Sequence, residues 1–261
     1  MLRPRIIPCL LIQQGGLVKT QNFGAPKYVG DPINAVKIFN EKEADELMVL
    51  DIDASRKKIE PNYALIAKLA AECRMPLCYG GGITRAEQAS RIIDLGVEKI
   101  SISAAAVVNP ALLTQIADAI GCQSVVGVID VRKKKGLLSK GYDVCTLNAT
   151  VTHKFAPLDI AKQFEAAGAG EIVVNSIDGD GMMNGYDLPL AVAMREALHV
   201  PLTVLGGAGS LEHIATLIKH CGIVGAAAGS LFVFKGKYRA VLINYPTPEQ
   251  KDELFRLARV I

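Results

Sequence analysis

Apolar runs of strand length recur along this chain, each closed by a polar or Gly-containing turn and followed by a helical stripe. Residues 5–12 form a continuous apolar run, and 13–30 a long polar loop that carries Lys19. Asp31-Pro32 then predicts a helix, with the carboxylate as cap, Pro in the first turn, and Ile33, Val36 and Phe39 as its apolar stripe. Strands are predicted over 46–51, 76–80 and 98–103, separated by helices over 61–73, after the capping-box pattern Thr84-Arg-Ala-Glu87, and from Asn109-Pro110 to Ile120. The order resumes with a strand over 125–131, a loop or hairpin over 132–152, a helix over 157–167 and a strand over 171–177. A helix over 188–197, a strand over 202–205, a helix capped by Ser210 and a strand over 223–228 complete it. Strands that are apolar throughout, alternating with amphipathic helices, imply parallel pairing with covered faces.

The chain also repeats itself. The run Glu46-Leu-Met-Val-Leu-Asp-Ile-Asp returns as Glu171-Ile-Val-Val-Asn-Ser-Ile-Asp, an offset of 171 − 46 = 125 residues. The Gly-rich turn after Tyr79 returns after Val204 at the same offset, 204 − 79 = 125. Eight strand-helix units in two equivalent halves predict an α/β fold, a single (β/α)8 TIM barrel, rather than an open doubly wound sheet. One domain is expected over 1–261, with half-barrels of about 1–123 and 124–240 and a C-terminal extension of about 235–261.

Composition narrows the class. Half the residues are apolar and the formal net charge is +3, too small a basic excess to argue for nucleic acid and compatible with small anionic ligands. No apolar run reaches ~18 residues, so no membrane span is expected, and the start of the chain has no signal-peptide pattern. The six cysteines show no metal or redox spacing, which predicts free thiols in a cytoplasmic protein. The four histidines, His153, His199, His213 and His220, have no ligand spacing either, and neither a metal nor a cofactor is expected.

In such a barrel the chemistry belongs at the C-terminal strand ends. Two Gly-rich turns stand there, one per half: Gly81 and Gly82 with Ser103 beyond, and Gly206 and Gly207 with Gly229 and Ser230 beyond. Glycine lets backbone N–H groups approach an anion. Either turn alone has a packing explanation, but two in repeat register suggest a ligand with a phosphate at each end. Carboxylates crowd the same face: Asp130 ends a strand, and Asp178 and Asp180 follow the next one, as candidates for proton transfer or merely as loop caps. The basic run Arg132-Lys-Lys-Lys is expected to be solvated or to reach a phosphate. On the opposite face Arg5, Glu46, Lys99 and Glu171 start the first, second, fourth and sixth strands. They predict a charged ring at the barrel floor, read either as stabilising ion pairs or as a gate.

The motifs Arg-Ile-Ile-Pro-Cys-Leu at 5–10, Gly-Asp-Pro at 30–32, Gly-Gly-Gly-Ile at 80–83, Ser-Ile-Asp-Gly-Asp-Gly at 176–181, Gly-Tyr-Asp at 185–187 and Gly-Gly-Ala-Gly at 206–209 resemble the cyclase subunit of imidazole glycerol phosphate synthase (HisF). The match runs to about Phe234. It implies a barrel that docks a glutaminase subunit on its N-terminal face. Ammonia then passes the Arg5/Glu46/Lys99/Glu171 ring and reacts at the top with a bisphosphorylated intermediate. Read from its length alone, the 13–30 loop with Lys19 is a candidate substrate loop. The resemblance also implies two catalytic aspartates, and only Asp130 is present: Leu11 occupies the first position. Ser103-Ala104 replaces an Asn-Thr pair, and Leu205 stands where Ser is usual. The segment after Phe234 is similar to the HisF-like paralogue of bacterial surface-polysaccharide clusters, in which a glutaminase and a cyclase-like barrel supply ammonia to a sugar-amidating enzyme. That paralogue is the expected function. A histidine-pathway cyclase, the sister phosphoribosyl isomerase and a non-catalytic ammonia conduit are the alternatives.

Overall fold

The computed structural model describes residues 3–136 and 140–258. The first half runs β1 (Arg5–Gln13), β2 (Gly16–Lys19), β3 (Lys27–Gly30), α1 (Pro32–Glu41), β4 (Leu47–Asp51), α2 (Ala54–Lys57), α3 (Tyr63–Glu72), β5 (Leu77–Gly80), α4 (Ala86–Asp94), β6 (Lys99–Ile102), α5 (Ala104–Val108) and α6 (Ala111–Ile120). The second runs β7 (Val125–Lys133), β8 (Tyr142–Thr146), β9 (Val151–His153), α7 (Pro157–Ala166), β10 (Glu171–Ser176), α8 (Leu188–Ala197), β11 (Leu202–Leu205), α9 (Leu211–Cys221), β12 (Gly225–Ala228) and α10 (Ser230–Val233). A small hairpin of β13 (Phe234–Lys235) and β14 (Ala240–Val241) and a last helix α11 (Pro248–Leu257) end the described chain.

Eight strands, β1, β4, β5, β6, β7, β10, β11 and β12, pair in parallel in that order. The pairing of β12 with β1 closes the barrel, so the edge that an open sheet would expose is absent. Strand side chains alternate in direction, which divides the apolar residues into two cores. Outward-facing strand residues such as Leu10 form one core with helix residues that include Phe39, Leu69 and Phe164. Inward-facing ones fill the barrel: Ile7, Cys9, Met48, Cys78, Val126, Val128, Val173, Leu205 and Ala227, with Leu11 and Leu50 above them. The helix starts follow local chemistry: Asp31 accepts from the Asn34 amide at 2.8 Å and Pro32 opens α1.

Several expectations need correction. The polar stretch 13–30 is not an irregular loop, because β1 outlasts its neighbours and turns at Gln14-Gly15 into antiparallel β2, which pairs with β3. The same happens in the second half, where β7 outlasts its neighbours and pairs antiparallel with β8, and β8 with β9. Residues 137–139 of that expected loop or hairpin, and 259–261 of the extension, lie outside the described residues. The α4 cap lies one residue later than the Thr84 pattern suggests: Gln88 Oε1, not Glu87, accepts the Thr84 and Arg85 amides at 2.7 and 3.0 Å. Asn109 gives α6 only its backbone carbonyl. Among the cysteines Cys122 is exposed, and none forms a disulfide among the described residues.

The C-terminal extension holds a helix that the apolar pattern did not predict. Thr247 and Gln250 form the capping box that starts α11. Its approach is stapled to the barrel floor by Tyr245, whose hydroxyl donates to the Ile6 carbonyl at 2.8 Å and accepts from the Asp45 amide at 3.1 Å. Lys251 adds an ion pair to Asp45 at 2.7 Å. No helix among the described residues is long and apolar enough to cross a membrane.

Candidate functional site

The two ends of the barrel carry opposite kinds of chemistry. At the N-terminal end four of the eight barrel strands open on or just after a charged residue. Arg5, Glu46, Lys99 and Glu171 come from four different strands, and such residues touch only by converging on the barrel axis. Arg5 Nη1 donates to Glu46, and Nη2 donates to Glu171 Oε1 at 2.8 Å. Lys99 Nζ donates to Glu46 Oε2 and to Glu171 Oε2, both at 2.9 Å. Each cation therefore bridges both carboxylates in a closed four-membered ring. Thr203 Oγ1 supplies Glu171 with a further bond at 2.6 Å. Glu46 and Glu171 are 3 % and 5 % exposed, so the ring's carboxylates are buried while Arg5 and Lys99 are half-buried. Burial works against ionised Glu171, but Arg5 and Lys99 outweigh it and hold the carboxyl below its ordinary range. The same carboxylates outweigh burial at Lys99 and keep it firmly protonated.

At the C-terminal end lies a cavity of about 260 Å³. Of the residues singled out from sequence it is lined by Gly81, Ser103, Asp130, Asp180, Gly206, Gly207, Gly229, Ser230, Leu11 and Lys19. Gly82 is not among them: its amide donates to Ser55 Oγ at 3.1 Å and its φ of +77° serves the turn. Gly81 and Gly207 have φ of +121° and +111°. A Cβ on either would run into the Asp51 or the Gly185 carbonyl, so both turns need glycine for packing as well as for open backbone.

Asp130 faces the cavity from β7. Asn175 Nδ2 donates to its Oδ1 at 2.8 Å and Ser103 Oγ to its Oδ2 at 3.3 Å. Those bonds favour the anion, yet burial outweighs them and raises its pKa to about 6. A carboxyl so placed exchanges its proton near neutral pH. Leu11 holds the matching position in the first half: Leu11 pairs with Val18 of its hairpin strand as Asp130 pairs with Cys145. A hydrocarbon therefore stands across the cavity mouth from the half-buried acid, with Leu50 and Leu205 also in the lining.

The other two carboxylates tie loops. Asp180 lines the cavity, but its Oδ2 accepts from Thr20 Oγ1 at 2.6 Å and from the Phe23 amide at 3.1 Å. Asp178 is outside the lining, with its Oδ2 on the Lys133 amide at 2.7 Å. The loop after β10 thus clasps both hairpins, one aspartate to each. Lys19 is not on a solvated loop. It is 5 % exposed on β2, its Nζ donates to the Cys9 carbonyl at 2.6 Å, and burial lowers its pKa. In the basic run Lys133 pairs with Asp187 at 3.0 Å and Lys134 with Asp143 at 3.7 Å, so the run is largely engaged. Asp51, a strand end in the repeated run, also lines the cavity, as do Arg56, Asn148 and Asn175, which were not singled out. Asn175 pairs in register with Asp130 on the neighbouring strand.

Comparison with known proteins places this geometry in context. The model of the family described as histidine biosynthesis protein matches residues 5–239. A Vibrio vulnificus protein provisionally named imidazole glycerol phosphate synthase subunit hisF3 is 56 % identical over 257 residues, 98 % of each chain. A Leptospira interrogans protein provisionally named imidazole glycerol phosphate synthase subunit HisF is 57 % identical over 255 residues, 98 % of this chain and 100 % of that one. The imidazole glycerol phosphate synthase subunit HisF of Nostoc sp. is 36 % identical over 245 residues, 94 % of this chain and 95 % of that one.

Proposed function

This chain belongs to the histidine biosynthesis protein family, and on that premise we propose that it is the HisF-like synthase subunit of a glutamine amidotransferase complex that has lost ordinary cyclase chemistry. A glutaminase subunit docks on the N-terminal face and releases ammonia at the Arg5/Glu46/Lys99/Glu171 ring. Ammonia rises through the barrel and leaves at the cavity for amidation of a nucleotide-linked sugar by a separate enzyme of surface-polysaccharide synthesis. The single observation that carries the reading is the contrast between the ends. The floor ring is complete and fully paired, whereas Leu11 faces the roof cavity opposite Asp130.

The interior suits that cargo. Between the ring and the cavity lies an apolar layer of Ile7, Met48, Cys78, Val126, Val173 and Ala227. Neutral ammonia crosses such a layer at small cost, whereas ammonium, a bare cation in an apolar medium, does not. The ring stands shut, so entry requires Arg5 or Lys99 to part from one carboxylate. At the roof, replacing one of two proton-handling groups by leucine removes a factor of roughly 10²–10⁴ in rate. The cavity's ligand, in this reading, is a phosphorylated small molecule held by the Gly81/Ser103 and Gly206/Gly207/Gly229/Ser230 turns.

One observation favours a second reading, a histidine-pathway cyclase: Asp130 keeps a pKa near 6, suited to acid-base work. The experiment that separates the two supplies the purified chain with the bisphosphorylated ribulosyl aminoimidazole intermediate and ammonium salt. No formation of imidazole glycerol phosphate is expected, and rapid formation establishes the cyclase instead.

A further inference from the structure

The hairpin of β13 and β14 delivers a guanidinium to one end of the roof cavity. Arg239 Nη2 donates to the Gly181 carbonyl at 3.0 Å and to Ser230 Oγ at 3.4 Å, and both of those residues line the cavity. The guanidinium carbon lies 4.9 Å from the centre of the Phe234 ring, a cation–π contact. Arg239 itself has a φ of +51°, in the turn between β13 and β14. No carboxylate lies within ion-pair distance of it among the described residues, and Nε and Nη1 have no acceptor there. Ser230 Oγ accepts from Arg239, so its own proton is left to donate.

A second guanidinium stands at the other end. Arg56, from α2, lines the cavity together with Ser55, Gly81, Ser103 and Ala104. Its neighbours are engaged, Lys57 with Asp53 at 2.7 Å and Arg85 with Glu60 at 2.9 Å, while Arg56 has no ion-pair partner among the described residues. The remaining cation of the lining, Lys19, is buried and committed to a carbonyl. Two planar five-donor groups with spare N–H bonds, one at each Gly-rich turn, are the groups best matched to phosphate oxygens.

We infer that Arg239 and Arg56 recognise the two anionic ends of the cavity's ligand, so that the C-terminal hairpin is part of the binding site. The inference rests on the proposed function's reading of that cavity as a site for a phosphorylated molecule. At the first turn Ser103 is followed by Ala104, which has no side-chain donor, and Arg56 supplies donors at that end. At the second turn Arg239 adds a full charge beside the Ser230 hydroxyl.

The test is titration of the full chain with inorganic phosphate, followed by the amide resonances of Gly81 and Ala104 for one end and Gly207 and Ser230 for the other. Both sets move saturably in the unaltered protein. Arg239→Gln weakens phosphate at the Gly207/Ser230 end by at least about tenfold, the scale of a lost charge-assisted bond, and leaves the other end unchanged. Arg56→Gln does the converse. The salt dependence of the affected end becomes shallower, because a charge has gone; a mere disturbance of the hairpin lowers affinity without that change. Affinities within about twofold of the unaltered protein in both variants overturn the assignment of the arginines and leave the phosphorylated-ligand reading standing. If neither set of amides moves in the unaltered protein, that reading fails and the assignment fails with it.

Discussion

Lys99→Met is the sharpest perturbation of the floor. Lys99 Nζ lies 2.9–3.0 Å from three carboxylate oxygens of Glu46 and Glu171. Its side chain is 19 % exposed, and those of the glutamates are 3 % and 6 %. Methionine fills the same space but leaves two buried carboxylates sharing Arg5 alone. Removing one partner of a buried ion pair costs about 3–5 kcal/mol, and the partial exposure of Lys99 puts this case near 3. For a chain of this size that lowers Tm by roughly 6–12 °C.

The pH dependence separates this cause from lost packing. Glu171 has a folded-state pKa held below its unfolded value by Arg5 and Lys99 against the opposing effect of burial. A depressed carboxyl contributes stability that is present above its unfolded pKa of ~4.3 and is lost as pH falls through the folded value. The variant forfeits much of that contribution. Its deficit, measured by urea unfolding, is therefore largest near pH 7 and narrows below about pH 4, where the paired carboxyl of the unaltered chain begins to protonate. A variant as stable as the unaltered chain at pH 7, or a deficit that does not change with pH, refutes the ring as an electrostatic unit.

Two further outcomes follow from single side chains. Asp130 has a folded pKa raised from 3.8 to about 6 by burial, so its ionised form costs stability that grows as pH rises from the unfolded value through about 6. Asp130→Asn is then more stable at pH 7 by at most about 3 kcal/mol, the gain vanishing below ~pH 4, and unfolding curves across that range check it. Tyr245→Phe leaves the Ile6 carbonyl and the Asp45 amide without their shared partner. A loss of about 1–3 kcal/mol is expected in urea unfolding, and no change means that α11 and its approach do not staple the floor.

What the sequence revealed and what it hid have physical causes. Barrel and repeat were legible because buried parallel strands are apolar throughout, and eight such runs leave few other arrangements. The floor was legible for a related reason: Arg5, Glu46, Lys99 and Glu171 each open an apolar run, where strand alternation sets direction. That alternation stops at Ser176, and from there chain order cannot tell Asp180, which lines the cavity, from Asp178, which does not. Lys19 was hidden by a Gln14-Gly15 turn, a weaker signal than Asn-Gly for a hairpin. Arg239 lies between strands of two residues, too short to show a period, at a positive φ that no pattern at arginine announces. The start of α11 did carry a signal, Thr247-Pro-Glu-Gln250, which reads as a capping box.

The most direct measurement is the rate of glutamine hydrolysis by the glutaminase partner in complex with this chain, compared with its Arg5→Ala and Lys99→Ala variants. The account predicts that the unaltered chain stimulates hydrolysis and that ammonia delivery to the roof falls in both floor variants while the complex still assembles. Delivery unaffected by either substitution, in an intact complex, contradicts entry through the floor.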